Sequence, residues 1–168
     1  SDEVKIMDKK DKQLIAILRE DSRFTTAQIA AMSGLEEEDV KARIEAMEQD
    51  GVIAKYTVLC NTEKLDSDAV TALIEVKVTP QMRDGFDAIA RDIYKFEEVK
   101  DVYLMSGSYD LTVIVEGKNL REVSRFVTER LSVLKDVTST ATHFILKKYK
   151  AEGVVLEKRD EIKREEIV

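Results

Sequence analysis

A chain of 168 residues has room for one ordinary domain or two small ones, and 43% apolar residues suffice for a packed core. Lys and Arg number 27 against 34 Asp and Glu, a formal charge of −7 that argues against a protein coating nucleic acid by bulk electrostatics. A single cysteine (Cys60) and a single histidine (His143) exclude a disulfide framework and a metal site rich in thiolate or imidazole, and no apolar run is long enough to span a bilayer.

Residues 7–20 read as a helix, with Leu14, Ile15 and Leu18 forming an apolar stripe and Asp8, Lys9, Lys12 and Arg19 outside it. Asp21-Ser22-Arg23 breaks the pattern. Thr25 then has the character of an N-cap, and Gln28 three residues later completes a capping box. Ile29 and Ala30 face inward, and Gly34 supplies the positive φ of a tight turn. The next helix runs from Glu37 to Gln49, with Val40, Ile44 and Met47 on one face and Lys41 and Arg43 pointing away from it. Gly51 ends it, and the alternating stretch Val52–Leu59 predicts a strand leaving the domain. A capped helix, a Gly turn and a second amphipathic helix in this order spell a helix-turn-helix, a unit that seats its second helix in the DNA major groove.

Residues 61–68 are polar and turn-rich, which places a linker there between a domain of residues 1–60 and another of 69–150. In the second domain Val70–Val78 reads as a strand ended by Pro80, and Phe86, Ile89, Ala90 and Ile93 mark a helix. Val99–Met105 and Leu111–Glu116 are strands on either side of Gly107. Leu120, Val123, Val127, Leu131 and Leu134 mark a second helix, and Val137–Tyr149 a last, long strand. The order β-α-β-β-α-β is ferredoxin-like, so the fold class is α+β: an N-terminal winged-type helix-turn-helix domain followed by a ferredoxin-like domain. Both helices of such a unit cover one sheet face. Leu73, Ile114 and Ile145 fall on the other, a reason to expect dimerisation through the sheet. Residues 151–168 are mostly charged and read as a tail, helical against a neighbour or frayed.

The two halves together resemble the Lrp/AsnC family, the feast/famine regulators of bacteria and archaea. The first half matches through Met7-Asp8 to Leu18, Arg23-Phe24-Thr25, Ile29-Ala30, Ser33-Gly34-Leu35, Val40, Arg43-Ile44 and Gly51-Val52-Ile53. The second matches through Gly107-Ser108-Tyr109-Asp110 and the strand Val137–Leu146. The resemblance implies a cytoplasmic, nucleoid-associated regulator of transcription that binds double-stranded DNA, with no enzymatic activity, cofactor, metal or membrane partner. It also implies homodimers joined through the sheets, assembly to octamers, and an amino-acid effector bound between dimers. Thr26, Gln28, Glu38, Lys41 and Arg43 are then the candidate DNA-binding residues. Gly107, Ser108, Tyr109, Asp110, Leu120, Thr138, Thr140, Thr142 and His143 are the candidate effector-binding residues. A zwitterion needs a carboxylate for its ammonium, which Asp110 can supply, and donors for its carboxylate, which Thr hydroxyls and loop N–H groups can supply.

The sequence departs from the family where the recognition helix begins, at Glu36-Glu37-Glu38-Asp39. Acidic side chains suit a helix N-terminus but repel a phosphate backbone. Residues 1–60 carry nine Lys and Arg against thirteen Asp and Glu, so weak or strongly salt-sensitive binding per protomer is expected. Several such units in one oligomer offset this by avidity. Two further readings follow: an effector sensor that scarcely binds DNA and co-assembles with a more basic paralogue, and an enzyme resembling the siroheme decarboxylases built on this scaffold. The latter needs a basic, histidine-lined pocket, for which only His143 is available.

Overall fold

The computed structural model describes residues 7–65, 68–79 and 85–157. The chain divides into two compact units, residues 1–59 and 60–168.

The first unit is built of helices α1 (Lys9–Glu20), α2 (Thr26–Ser33) and α3 (Glu37–Gln49). Each start has a local cause. The Asp8 carboxylate accepts the Asp11 N–H at 2.8 Å while the Asp11 carboxylate accepts the Asp8 N–H, a reciprocal cap on α1. Thr25 and Gln28 make the same exchange at α2, as their spacing implies. Gly34 ends α2 at φ +72°, a conformation that costs an L side chain about 1–2 kcal/mol. Leu14, Ile29, Val40 and Met47 form the buried core, one or two from each helix, with Leu18, Phe24, Leu35, Ile44 and Ile53 packed around them. The expected strand Val52–Leu59 is absent: residues 54–61 form no regular element. A strand requires a hydrogen-bonded neighbour, and this unit contains none among the described residues. The segment is instead held by the Tyr56 hydroxyl, which donates to Glu48 of α3 at 2.7 Å.

The second unit carries strands β1 (Val70–Val78), β2 (Val99–Leu104), β3 (Leu111–Gly117) and β4 (Val137–Phe144), with helices α4 (Gly85–Tyr94) and α5 (Leu120–Phe126). The sheet order is β2-β3-β1-β4 and every neighbouring pair is antiparallel. This is the ferredoxin-like arrangement. Alternation along β1 puts Ala72, Ile74, Val76 and Val78 under the helices, where they meet Leu111, Val113 and Val115 of β3. Ile89 and Ile93 of α4, with Val123 and Phe126 of α5, close that layer. Neither helix crosses to the other face, where Leu73 stands opposite Ile114 and both are half-buried.

Two boundaries differ from the pattern reading. The second helix is α-helical only to Phe126 and continues as a wider π turn, Val127–Leu131, which still buries Val127 and Leu131. The last strand ends at Phe144 rather than Tyr149. Beyond it Lys150–Ala151 (β5) and Val154–Val155 (β6) pair as a hairpin. Its turn residues Glu152 and Gly153 lie at φ 48° and 81°, the paired positive values a two-residue hairpin turn requires. The start of the charged tail is therefore a hairpin and not a helix, and residues 158–168 lie outside the described residues.

Candidate nucleic-acid interface and effector loop

In the helix-turn-helix, α3 follows α2 across the Gly34 turn and presents Glu38, Lys41 and Ala42 to solvent. Lys41 and Glu38 are exposed and make no ion pair or side-chain hydrogen bond among the described residues. The Thr26 hydroxyl donates to Glu37 Oε1 at 2.6 Å, tying the start of α2 to the start of α3. Gln28 is occupied by the cap, its Oε1 accepting the Thr25 N–H at 2.9 Å.

Arg43 does not stand free, as its spacing on α3 had implied. Its Nε donates to Asp39 at 2.9 Å and one terminal nitrogen donates to both Asp8 and Asp11 at 2.8 Å. The side chain is 23% exposed. One guanidinium thus fastens α3 to the capping box of α1, which explains what spacing could not: its partners lie 32 and 35 residues away. The carboxylates of Asp11 and Asp8 raise the affinity of Arg43 for its proton. The Asp11 backbone N–H, and then Arg43, hold the Asp8 carboxyl below the usual carboxylate range. Asp39 is drawn into the same cluster, with Lys10 also 3.9 Å away. At the C-terminal end of α3, burial and the neighbouring Glu48 carboxylate push the Tyr56 phenol up to about 12.

The effector candidates divide by topology. The turn between β2 and β3 contains Gly107 and Ser108, both exposed, and is closed by the Met105 N–H donating to Asp110 O at 2.8 Å. Asp110 also locks the turn onto β1: its N–H donates to Val76 O at 3.1 Å and its Oδ2 accepts the Val78 N–H at 2.9 Å. A carboxylate oxygen retains acceptor capacity after one such bond. Tyr109 is half-buried, its hydroxyl accepting from Thr112 at 3.2 Å.

On the other side of β1, the Thr138 hydroxyl donates to Lys77 O at 3.1 Å, and Thr140, paired with Val76, lies 3.3 Å from the Ser132 hydroxyl. The Gly107–Asp110 turn, Thr138 and Thr140 therefore gather at one end of the sheet. Thr142 pairs with Ile74 two residues further in, on the helix-covered side. His143 pairs with Leu73 and faces the opposite side, its Nε2 3.7 Å from Glu75. Leu120 follows β3 at the far end, where Gly117 pairs with Val70. Within one protomer the nine candidates form one cluster and outliers, not one pocket. The strand period of two and the antiparallel return separate His143 and Leu120 from the rest.

Helix-turn-helix and sheet together define the architecture of a two-unit gene regulator. An AsnC-type helix-turn-helix domain matches residues 7–48, and the Lrp/AsnC ligand binding domain matches residues 71–155. The chain is 47% identical over 156 residues to the HTH-type transcriptional regulator YugG of Bacillus subtilis, covering 92% of this chain and 94% of that protein. It is 31% identical over 145 residues to the transcriptional regulator FL11 of Pyrococcus furiosus, covering 86% and 93%. Its fold is similar to that of the transcriptional regulator NMB0573 of Neisseria meningitidis in complex with L-Met. The TM-score is 0.69 at 22% identity, over 90% of this chain and 97% of that one. The chain belongs to the Lrp/AsnC family of transcriptional regulators.

Proposed function

We propose that the protein regulates transcription by setting α3 into duplex DNA and that an amino acid, bound at the Gly107–Asp110 end of the sheet, changes its assembly or its affinity. The observation that carries this reading is the order of the two units, each matching its own half of one regulator family. Lys41 serves as a phosphate or base contact, and Glu38 as an acceptor for cytosine N4. Thr26 and Gln28 position the start of α2, and Arg43 holds α3 on α1 from behind. Asp110 takes the effector ammonium with the acceptor capacity left after Val78 N–H, and Thr138 and Thr140 border the site. Tyr109 lies in the same turn, and Thr142, His143 and Leu120 join the site only through a second protomer.

The open sheet face, with Leu73, Ile114 and His143, is the surface through which a homodimer forms, and dimers associate further to an octamer. Such a regulator works in the cytoplasm at the nucleoid. No helix among the described residues is long and apolar enough to cross a membrane. Coupling is then a population shift, in which effector binding between dimers favours one assembly and the assembly sets the spacing of the α3 helices.

Footprinting on the promoter of its own gene, with and without each amino acid, tests the reading. A protected site whose extent or midpoint changes with one amino acid is the expected result. Absence of any specific complex at low salt, whichever amino acid is added, overturns it. Light scattering under the same conditions reads the oligomer directly.

A further inference from the structure

A second polar recess lies in the sheet-bearing unit, remote in sequence from the Gly107–Asp110 turn. It is an open cleft of about 210 Å³, walled by Asn61, Glu63 and Lys64, by Lys147 and Lys148, and by Leu156 and Glu157. Its walls are fixed rather than adventitious. The Asn61 amide donates to Leu156 O at 2.7 Å while its Oδ1 accepts the Glu63 N–H at 3.1 Å. The β5–β6 hairpin carries Leu156 back so that its N–H donates to Tyr149 O at 2.9 Å.

The charges are not self-satisfied. Lys147 is engaged, 3.7 Å from Glu157 and over the Tyr149 ring at 4.9 Å. The side chains of Lys64 and Lys148 make no ion pair or hydrogen bond among the described residues, and Lys148 is half-buried. Two ammonium groups that line one cleft without a counter-charge among the described residues favour an anion between them. Set against these two cations is one acidic side chain, Glu63, that makes no ion pair or side-chain hydrogen bond among the described residues. The unmatched charge therefore calls for two negative groups and tolerates one positive group.

The volume narrows the choice. At about 210 Å³ the cleft falls below the span of sites that hold drug-sized ligands or nucleotides. We propose that this cleft binds a small dicarboxylate, with or without an ammonium group, through Lys64 and Lys148. The ligand cross-links the segment Asn61–Lys64 to the end of the sheet unit. This goes beyond the amino-acid response at the Gly107–Asp110 turn and stands independently of it.

Isothermal titration of the full chain with succinate, L-glutamate and inorganic phosphate tests the proposal. Both dicarboxylates are expected to bind, and the double variant Lys64→Gln, Lys148→Gln to weaken them about tenfold. The single variants K64Q and K148Q carry the same test if the double variant fails to fold. Wild-type protein should also be cut more slowly by trypsin after Lys64 when succinate is present. Equal affinity in wild type and variants overturns the proposal, as does binding of neither dicarboxylate. Binding of phosphate alone overturns the ligand class. DNA binding, read separately by footprinting, reports on the regulator itself and is independent of these outcomes.

Discussion

Arg43 shows that position on a helix face does not fix a side chain's partners. Four-residue spacing on α3 brings it to Asp39, but its bonds to Asp8 and Asp11 depend on how α1 packs. Arg43→Ala removes the bridge and leaves three carboxylates close together. Because Asp8 and Asp39 are exposed to solvent, screening limits the expected loss to about 1 kcal/mol, checked by urea denaturation. DNA affinity should fall further than this loss of stability explains, since α3 loses its fastening. Two depressed carboxyls, Asp21 and Asp8, contribute to the acid response of the unit. Asp21 is lowered from 3.8 to about 2, first by the Arg23 guanidinium and then by the Arg23 N–H. Asp8 is lowered in the same sense. A depressed carboxyl stabilises the fold above its unfolded value and loses that contribution as the pH falls through its folded value. Unfolding midpoints followed by circular dichroism should therefore hold from neutrality to about pH 4 and decline towards pH 2. The Asp21→Asn variant should flatten part of that decline.

At the scale of elements, the capping boxes and turns are decided within a few residues of chain. Thr25 with Gln28, and Gly34 at φ +72°, are therefore visible in the sequence. Thr25→Ala should cost about 1 kcal/mol through its unsatisfied N–H groups, and Gly34→Ala about as much through φ alone, both measurable as shifts in the denaturant midpoint. The strands and helices of the sheet unit are legible for a related reason, since periods of two and 3.6 mark which side is buried. Where an outcome depends on a distant partner, local pattern fails. Val52–Leu59 has the alternation of a strand but pairs with no strand among the described residues. Tyr56 illustrates the same limit: nothing local marks its bond to Glu48. The effector candidates are legible as types but not as a group, because topology alone separates Leu120 and His143 from Asp110.

For the molecule as a whole, the acidity of α3 is less uniform than its sequence implies. Asp39 is paired and Glu37 is hydrogen-bonded to Thr26, which leaves Glu36 and Glu38 to face an approaching duplex. Lys41 is the exposed cation of α3, so in the proposed docking few phosphates are neutralised per helix. Lys41→Gln should weaken binding to all sequences alike and lower the slope of log affinity against log salt by about one, measured by fluorescence anisotropy across a salt series. Strand β4 joins the two layers of the sheet unit: Thr140 and Thr142 pair with the core residues Val76 and Ile74, whereas Ala141 and His143 pair with Glu75 and Leu73 on the uncovered side. Consecutive replacements along this strand should therefore give two interleaved phenotypes. Bulky residues at Ala141 or His143 should shift the protomer–dimer constant with little change in melting temperature, and those at Thr140 or Thr142 the reverse. Lesions one codon apart would then separate defects of quaternary structure from defects of folding.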